Sequence, residues 1–510
     1  MSVRYLIGID LGTTTAKCVV YDEFGEVLGE AQKDMEISYP KPGMAEQNAS
    51  DFYTYSCELI RKCLQSSSID KEKIAAIGID SQMGGIMAID KSYNPVTYYD
   101  TPLDSRSAEE NTWMHNMYGD QILELSGSLS TFGNKILYWK KKEEWKEIYK
   151  FIQPSAFVAG KLAGLTGQEA YMDETFICFS GFADLKELSW SADLCGKMEV
   201  DERKLPEIRK STDVIGTLCE KGASDTGLPK GIPIAAGCGD QTAGFVGAGI
   251  LKAGQMVDVS GTACILGASV DAFTSDMKHR TLACVKSALG DTYYLISIVL
   301  GGRTHNWFID SFFSDIAAEM KRKGEDLYGY LDQKAADIPP GSGGLVSINY
   351  LQGRFFPPDP SMRGLFIGHT WAHTRFHFYR AILESIAYDH CLTKHIISDL
   401  VPDVDFPVIS AIGSGAQSKF WMKIKADVLQ KKYVNLIRSD LATLGAAIVA
   451  GCSIGLFEDV NTIISRFAQP NDSVEPDKEE GMKYQKYVAI YEKLFPSLKE
   501  IYRTLSGEQG

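Results

Sequence analysis

Tyr5-Leu6-Ile7-Gly8-Ile9-Asp10-Leu11-Gly12-Thr13-Thr14-Thr15-Ala16-Lys17-Cys18-Val19-Val20-Tyr21 sets an apolar run, a hydroxyl-rich turn and a second apolar run in immediate succession. After the turn Asp22-Glu23-Phe24-Gly25 a third run begins at Val27. This order predicts three strands joined by tight turns across residues 5–32. The first turn, Asp10 to Thr15, is dense in hydroxyls and backbone N–H groups and can wrap phosphate oxygens. A helix at about 50–65 then leads to the strand Ile74-Ala75-Ala76-Ile77-Gly78-Ile79, the strand–helix–strand logic of an α/β sheet.

The second half repeats this order. Gln255-Met256-Val257-Asp258-Val259 runs into Ser260-Gly261-Thr262-Ala263-Cys264, and a further strand is predicted from Thr292 to Val299. An amphipathic helix from Thr374 to about His395 precedes the strand Val408 to Ile412, the break Gly413-Ser414-Gly415-Ala416, and a helix from about Ser418 to Gln430. Asp10–Thr14 and Asp258–Thr262 are thus two phosphate-type turns at corresponding places in two related halves, and a nucleotide is expected between them. The small-residue run Gly244 to Gly254 reads as the hinge, dividing the chain into domains 1–247 and 248–510. The tail from about Lys478 to Leu505 has helical apolar spacing (Tyr484, Tyr487, Val488, Ile490, Tyr491, Leu494) and is expected to pack back on the body.

The 510 residues exceed what one core usually organises, which agrees with two large units. A composition of 45% hydrophobic and 23% charged residues is that of a globular protein. The net charge of −14 argues against nucleic acid or an anionic membrane as partner, since both demand a basic surface. The eleven cysteines are odd in number and form no Cys-x-x-Cys pair, as expected of reduced cytosolic thiols. Neither a signal h-region nor an apolar run of membrane-spanning length is present, so a cytoplasmic location is expected.

Gly237-Cys238-Gly239-Asp240-Gln241-Thr242-Ala243-Gly244 places one carboxylate at the head of a small-residue helix. Such a carboxylate can accept a proton from a substrate hydroxyl while leaving room for a phosphoryl donor; taken alone it is more often a helix cap. Asp10 suits either a Mg²⁺ site or a turn that caps itself. Lys17 is as readily a solvated strand lysine as a phosphate contact. His369, His373 and His377 recur at four-residue spacing, but no zinc-type glutamate motif accompanies them, and they are read as solvent-facing.

These segments, together with Pro42-Gly43-Met44-Ala45-Glu46-Gln47, Asp104-Ser105-Arg106, Tyr379-Arg380-Ala381-Ile382-Leu383-Glu384 and Gly413 to Trp421, resemble the FGGY family of carbohydrate kinases, members of the actin–hexokinase–heat-shock ATPase superfold. The resemblance covers most of the first 450 residues. It implies an α/β protein of two ribonuclease-H-like (actin-like ATPase) domains with a cleft between them, the sugar on the first and most nucleotide contacts on the second. It implies Asp240 as general base; Asp10 toward Mg²⁺; and Gly12, Thr13, Thr14, Lys17, Gly261 and Thr262 around the phosphates of ATP. Gly413, Ser414, Gly415 and Ala416 would meet the adenosine, with Ser414 where the family more often has glycine. Gln82, Met83, Asp104 and Arg106 would meet the sugar, although Pro102 stands where the family often has Trp. Gly84 occupies the place of the histidine in the Gln-Met-His-Gly of xylulokinases, and is expected to enlarge the pocket. The implied substrate is a ketopentose such as xylulose or a related ketose or polyol, and a homodimer is compatible with the chain.

Two other classes share the opening turn. An ATPase activator of a radical dehydratase needs closely placed cluster cysteines, which are absent. A non-kinase actin-like ATPase needs neither Asp104-Ser105-Arg106 nor the Asp240 segment.

Overall fold

A computed structural model describes residues 3–66, 69–261, 263–354, 359–438, 440–457 and 459–506. Tyr5–Leu11 (β1), Thr15–Asp22 (β2) and Val27–Asp34 (β3) form an antiparallel meander. Ile74–Ser81 (β4) joins β1 in parallel after the helix Ala49–Ser66 (α1). Val214–Thr217 (β5), Pro233–Ala235 (β6) and Cys238–Gly239 (β7) complete a seven-stranded sheet of order β5-β6-β4-β1-β2-β3, with β7 also beside β4. β1 and β4 are buried nearly throughout and read as continuous apolar runs, as strands covered on both faces should.

The second sheet repeats the pattern. Met256–Ser260 (β8), Cys264–Val270 (β9), Ala283–Lys286 (β10) and Tyr293–Val299 (β11) are antiparallel neighbours. Val408–Ile412 (β12) joins β8 in parallel, followed by Lys432–Leu436 (β13) and Pro470–Val474 (β14), giving the order β10-β11-β9-β8-β12-β13-β14. The β1–β2 and β8–β9 turns therefore occupy equivalent positions, each beside a central strand with a parallel neighbour on its other side. β5, β6, β7, β9, β10, β13 and β14 were not among the strands expected from the sequence.

The expected hinge is only partly free. Asp240–Gly247 (α2) is a helix, so the run that can bend shrinks to residues 248–254. Among the remaining helices are Gly301–Phe312 (α3), Arg375–Leu400 (α4), Lys419–Leu429 (α5), Leu441–Ser453 (α6) and Lys478–Ser506 (α7). α6 leaves the second sheet and lies against the first. A Cβ on Gly8 of β1 would collide with the Thr443 carbonyl, one on Gly78 of β4 with that of Ala446, and one on Gly445 with that of Ala243. Glycine at these three places lets backbones approach, which ties the two halves together at the base of the cleft. α7 packs back as expected, with Tyr484, Tyr487, Val488 and Tyr491 buried, whereas Ile490 faces solvent. The Tyr484 hydroxyl accepts from Arg380 Nη2 (2.9 Å) and donates to Glu384 Oε1 (3.1 Å), anchoring the tail on α4.

Candidate active site

Three strand ends converge on one carboxylate cluster. Asp10 and Asp80 are register partners at the carboxyl ends of the parallel strands β1 and β4, and β7 pairs with β4 so that Cys238 opposes Asp80 and Asp240 follows two residues later. Ligands of open α/β sheets bind at such strand ends. Gly239, not Asp240, is the N-cap of α2. Asp240 is the first helical residue; its Oδ1 accepts from the Gln241 amide (2.7 Å), which leaves Oδ2 for a ligand. Gly239 is itself fixed: its N–H donates to Thr175 Oγ1 (2.9 Å), and that hydroxyl donates to Asp173 Oδ1 (2.5 Å). Burial pushes the Asp173 carboxyl up to about 8.

Burial, and then the neighbouring Asp10, push the Asp240 carboxyl up to about 7. A base with its pKa near neutrality is matched to proton acceptance at physiological pH. Asp80 is fully buried, and burial with the charges of Asp10 and Asp240 raises it far above the carboxylate range. Asp10 is raised by burial, against the opposing effects of Asp80 and Lys17. Asp10 Oδ1 and both Asp80 oxygens lie buried without hydrogen-bond partners among the described residues. This excess of unbalanced oxygen fits a hydrated divalent cation, which binds few carboxylates and keeps several waters. No group of three His, Cys, Asp or Glu among the described residues is arranged to ligate a metal directly, so the cluster suits contact through water.

The β1–β2 turn closes with Gly12 N–H to Thr15 O (3.1 Å), and the β8–β9 turn with Gly261 N–H to Ala263 O (3.1 Å). Thr14 is exposed at the tip. Thr13 Oγ1 donates to Gln82 Oε1 (2.9 Å), Gln82 Nε2 donates to Gln47 Oε1 (2.7 Å), and Gln47 Nε2 returns to Thr13 O (3.0 Å). Gln82 is thereby buried with its amide satisfied, linking the turn to the sugar-side loop. Met83 lies against Gly239. Lys17 stands opposite Asp10 on β2 with Glu30 at 3.9 Å. Thr262 lies outside the described residues.

Asp104 and Arg106 belong to a buried ionic cluster. Asp104 has no exposed side-chain surface, accepting from Ala45 N–H (2.7 Å) and from Arg106 Nε and Nη2 (2.8–2.9 Å). Arg106 Nη2 also reaches Glu46 Oε2 (2.5 Å) and lies 3.5 Å from Asp100. Burial pushes Asp100 up to about 6 and Lys135, which donates to the Thr101 carbonyl, down to about 8. Gly84 adopts φ +85°, with Pro102 3.7 Å from where a Cβ would stand. The glycine therefore serves a left-handed turn, and a larger pocket is not the reason that geometry requires it.

The second domain holds a cavity of about 600 Å³. Ser260 and Gly261 line one part of it, with Ser414, Gly415 and Ser418 from the loop after β12, and His305, Tyr328, Tyr379 and Trp421 as an aromatic wall. Gly413 and Gly415 have a second reason to be small: a Cβ on Gly413 would sit 2.8 Å from Ser260 O, and one on Gly415 2.5 Å from the Trp421 ring. Ala416 is buried and outside the lining. The His305 ring lies 5.2 Å from Tyr379 and 6.1 Å from Trp421, and burial pushes it down to about 4. The His305 ring is tilted 29–46° to its neighbours in this aromatic wall, whose ring faces suit a purine.

Asp80, Asp173, Thr175, His305 and Asp332, which accepts from Tyr379 and Ser418, were not singled out from sequence. Asp80 alone carried a signal there: a charged residue at the end of an otherwise apolar strand. His373 and His377 accept backbone N–H bonds at Nδ1 (2.9 and 3.1 Å), from Thr370 and Thr374 respectively. Their protons therefore reside on Nε2, and these turn and capping roles leave no ligating lone pair.

The sequence model described as "FGGY family of carbohydrate kinases, N-terminal domain" matches residues 5–247, and the corresponding C-terminal domain model matches residues 258–454. A xylulose kinase of Bacillus subtilis (strain 168) is 26% identical over 512 residues, covering 99% of each chain. The crystal structure of ligand-bound xylulose kinase from Lactobacillus acidophilus superposes with a TM-score of 0.88 at 25% identity, over 98% of this chain and 100% of that one. Gluconate kinase from the same organism has the same fold, with a TM-score of 0.87 at 24% identity over 99% and 100% of the two chains.

Proposed function

That this chain belongs to the FGGY family of carbohydrate kinases is the premise from which we propose that it transfers the γ-phosphate of ATP to a hydroxyl of a ketopentose such as xylulose, or of a related ketose or polyol, with Asp240 as the general base. The observation that carries the reading is the Asp240 carboxylate at the strand-end cluster, one oxygen held by the Gln241 amide and its pKa pushed up to about 7. Phosphoryl transfer has a loose transition state, so the protein mainly positions and neutralises, and the base has only to accept the hydroxyl proton.

In this assignment the two glycine turns present N–H groups to the phosphates, and Ser414, Gly415 and the His305–Trp421 wall hold the adenosine. Asp10, with Asp80 behind it, holds hydrated Mg²⁺, which supplies neutralisation of phosphate charge. Gln82, Met83, Asp104 and Arg106 build the floor beneath the acceptor: buried carboxylate–guanidinium bonds fix the loops around residues 45 and 101 so that the acceptor meets a rigid surface. Domains 1–247 and 248–510 would close over ATP and sugar by bending within residues 248–254. Closure excludes water that would otherwise hydrolyse the nucleotide.

The test is a panel of pentuloses, hexuloses, aldonates and polyols in an ADP-release assay, on the wild type and Asp240→Asn. The proposal expects sugar-dependent ADP release that the variant loses; release that no sugar stimulates would overturn it.

A further inference from the structure

Beneath the second phosphate turn lies a buried ionic network that meets the nucleotide cavity only through Ser260 and Trp421. Asp258, on β8, is completely buried. Its Oδ1 accepts from Lys425 Nζ (2.8 Å) and Ser260 Oγ (2.8 Å), and its Oδ2 accepts from the Tyr433 hydroxyl (3.0 Å) with His390 Nδ1 at 3.2 Å. Lys425 Nζ also donates to Ser260 Oγ (2.6 Å) and sits 4.2 Å from the centre of the Trp421 ring. The five residues come from β8, α4, α5 and β13, so one carboxylate gathers four elements of the second domain.

Two of these contacts end on the lining of the nucleotide cavity. Ser260 belongs to the phosphate turn, and Trp421 forms part of the aromatic wall. Gly413 and Gly415 pack against Ser260 with no space for a side chain, and Gly415 against Trp421 as well. The turn, the adenosine loop and the base wall therefore form one packed unit with the Lys425 ammonium at its centre. Burial alone would raise Asp258; Lys425 first, and then His390, overcome it and hold the carboxyl well below its ordinary range. Asp258 is therefore a carboxylate in the folded protein.

A buried ion pair is weak as a source of stability, because desolvation offsets most of the attraction, and its best-attested use is to fix one arrangement over others. We propose that Lys425 is a positioning residue for the nucleotide: through Ser260 on one side and Trp421 on the other, it holds the phosphate turn and the base wall in the spacing that ATP requires. This rests on the assignment of the cavity to ATP made above. Lys425 itself, only 2% exposed at its side chain, stands behind the cavity lining and is not part of it.

The experiment separates positioning from stability. Lys425→Met removes the ammonium from Asp258, leaving Ser260, Tyr433 and His390 around the buried carboxylate, and is expected to lower the melting temperature. Lys425→Met combined with Asp258→Asn removes both charges, and is expected to restore the melting temperature to near that of wild type. Calorimetric titration with a non-hydrolysable ATP analogue then decides. The double variant is expected to bind it about ten-fold or more weakly, the scale of losing hydrogen bonds to charged groups. Wild-type affinity in a folded double variant would overturn the proposal, reducing the network to a structural one. If the double variant does not fold, Lys425→Met alone, titrated with the analogue well below its melting temperature, carries the same test. Binding weaker by about ten-fold or more in the folded single variant supports the proposal, and wild-type affinity refutes it. Failure of the wild type to bind the analogue would instead bring down the cavity assignment and this inference with it.

Discussion

Asp240→Asn should do two opposite things to this protein. The carboxyl titrates at 3.8 when unperturbed and at about 7 in the folded state, raised first by burial and then by Asp10. Between these values the folded protein retains a proton that the unfolded chain releases, so this carboxyl's contribution to stability is fully present below about pH 4 and is lost as pH rises through 7. A difference of this size corresponds to at most about 4 kcal/mol, at roughly 1.36 kcal/mol per pH unit. Partial exposure and the charge shared with Asp10 and Asp80 reduce it. Asparagine keeps the shape and removes the ionisation. The variant should therefore melt higher than wild type at pH 8, with the gain shrinking toward pH 4.5, while kcat falls by ~10²–10⁴-fold, the scale of a lost general base. Thermal melts of the ligand-free protein at both pH values and a steady-state assay at pH 8 measure both effects. A variant that retains more than about a tenth of wild-type kcat, or a melting difference that does not depend on pH, would refute the reasoning.

Three further substitutions test other parts of the structure. Gly84→His places a side chain at φ +85°, so kcat/KM should fall on every sugar without a change in their ranking. A selective gain on D-xylulose would restore the pocket-size explanation instead. Gly415→Val drives a side chain into Trp421 and Ser260 and should weaken ATP-analogue binding measured by calorimetry more than it raises the KM for sugar; equal effects would count against the nucleotide cavity. Gly8→Ala sets a methyl group against the Thr443 carbonyl and should cost about 1–3 kcal/mol, as overpacking does, read by chemical denaturation; an unaltered midpoint would show that α6 can shift away from the first sheet.

The central strands of both sheets could be read from the sequence because they carry local signals: uninterrupted apolar runs bounded by the Asp22–Gly25 and Thr-rich turns, then an apolar strand after a helix. The equivalence of the Asp10 and Asp258 turns follows from that order alone. The crossing of α6 onto the first sheet was not legible, since nothing local in Leu441–Ser453 says which sheet its small residues meet. Within the site, Asp10 and Asp240 stand out as lone carboxylates at turn and helix starts. Asp80 becomes chemically meaningful only when strand register sets it beside Asp10. Thr175 and Asp173 reach Gly239 across more than sixty positions, as the Gly239–Thr175 bond spans |i−j| = 64. Asp104 and Arg106 read as a hydroxyl-binding pair, yet their bonds go to each other, Ala45 and Glu46, because pairing satisfies a buried charge that sequence spacing does not reveal. The absent side chain at Gly84 is legible in the sequence, whereas its backbone conformation of φ +85° is not.

The central claim is that ATP and a sugar react at Asp240. Its most direct measurement is detection of the phosphorylated sugar, by phosphorus NMR or mass spectrometry, after incubating wild-type protein with ATP, Mg²⁺ and each member of a ketose and polyol panel, beside Asp240→Asn under the same conditions. The account predicts a sugar monophosphate, formed with one ADP per product, in the wild type, and little or none with Asp240→Asn. ADP formed with free phosphate and no sugar ester, or the same yield of ester from the variant, would contradict it.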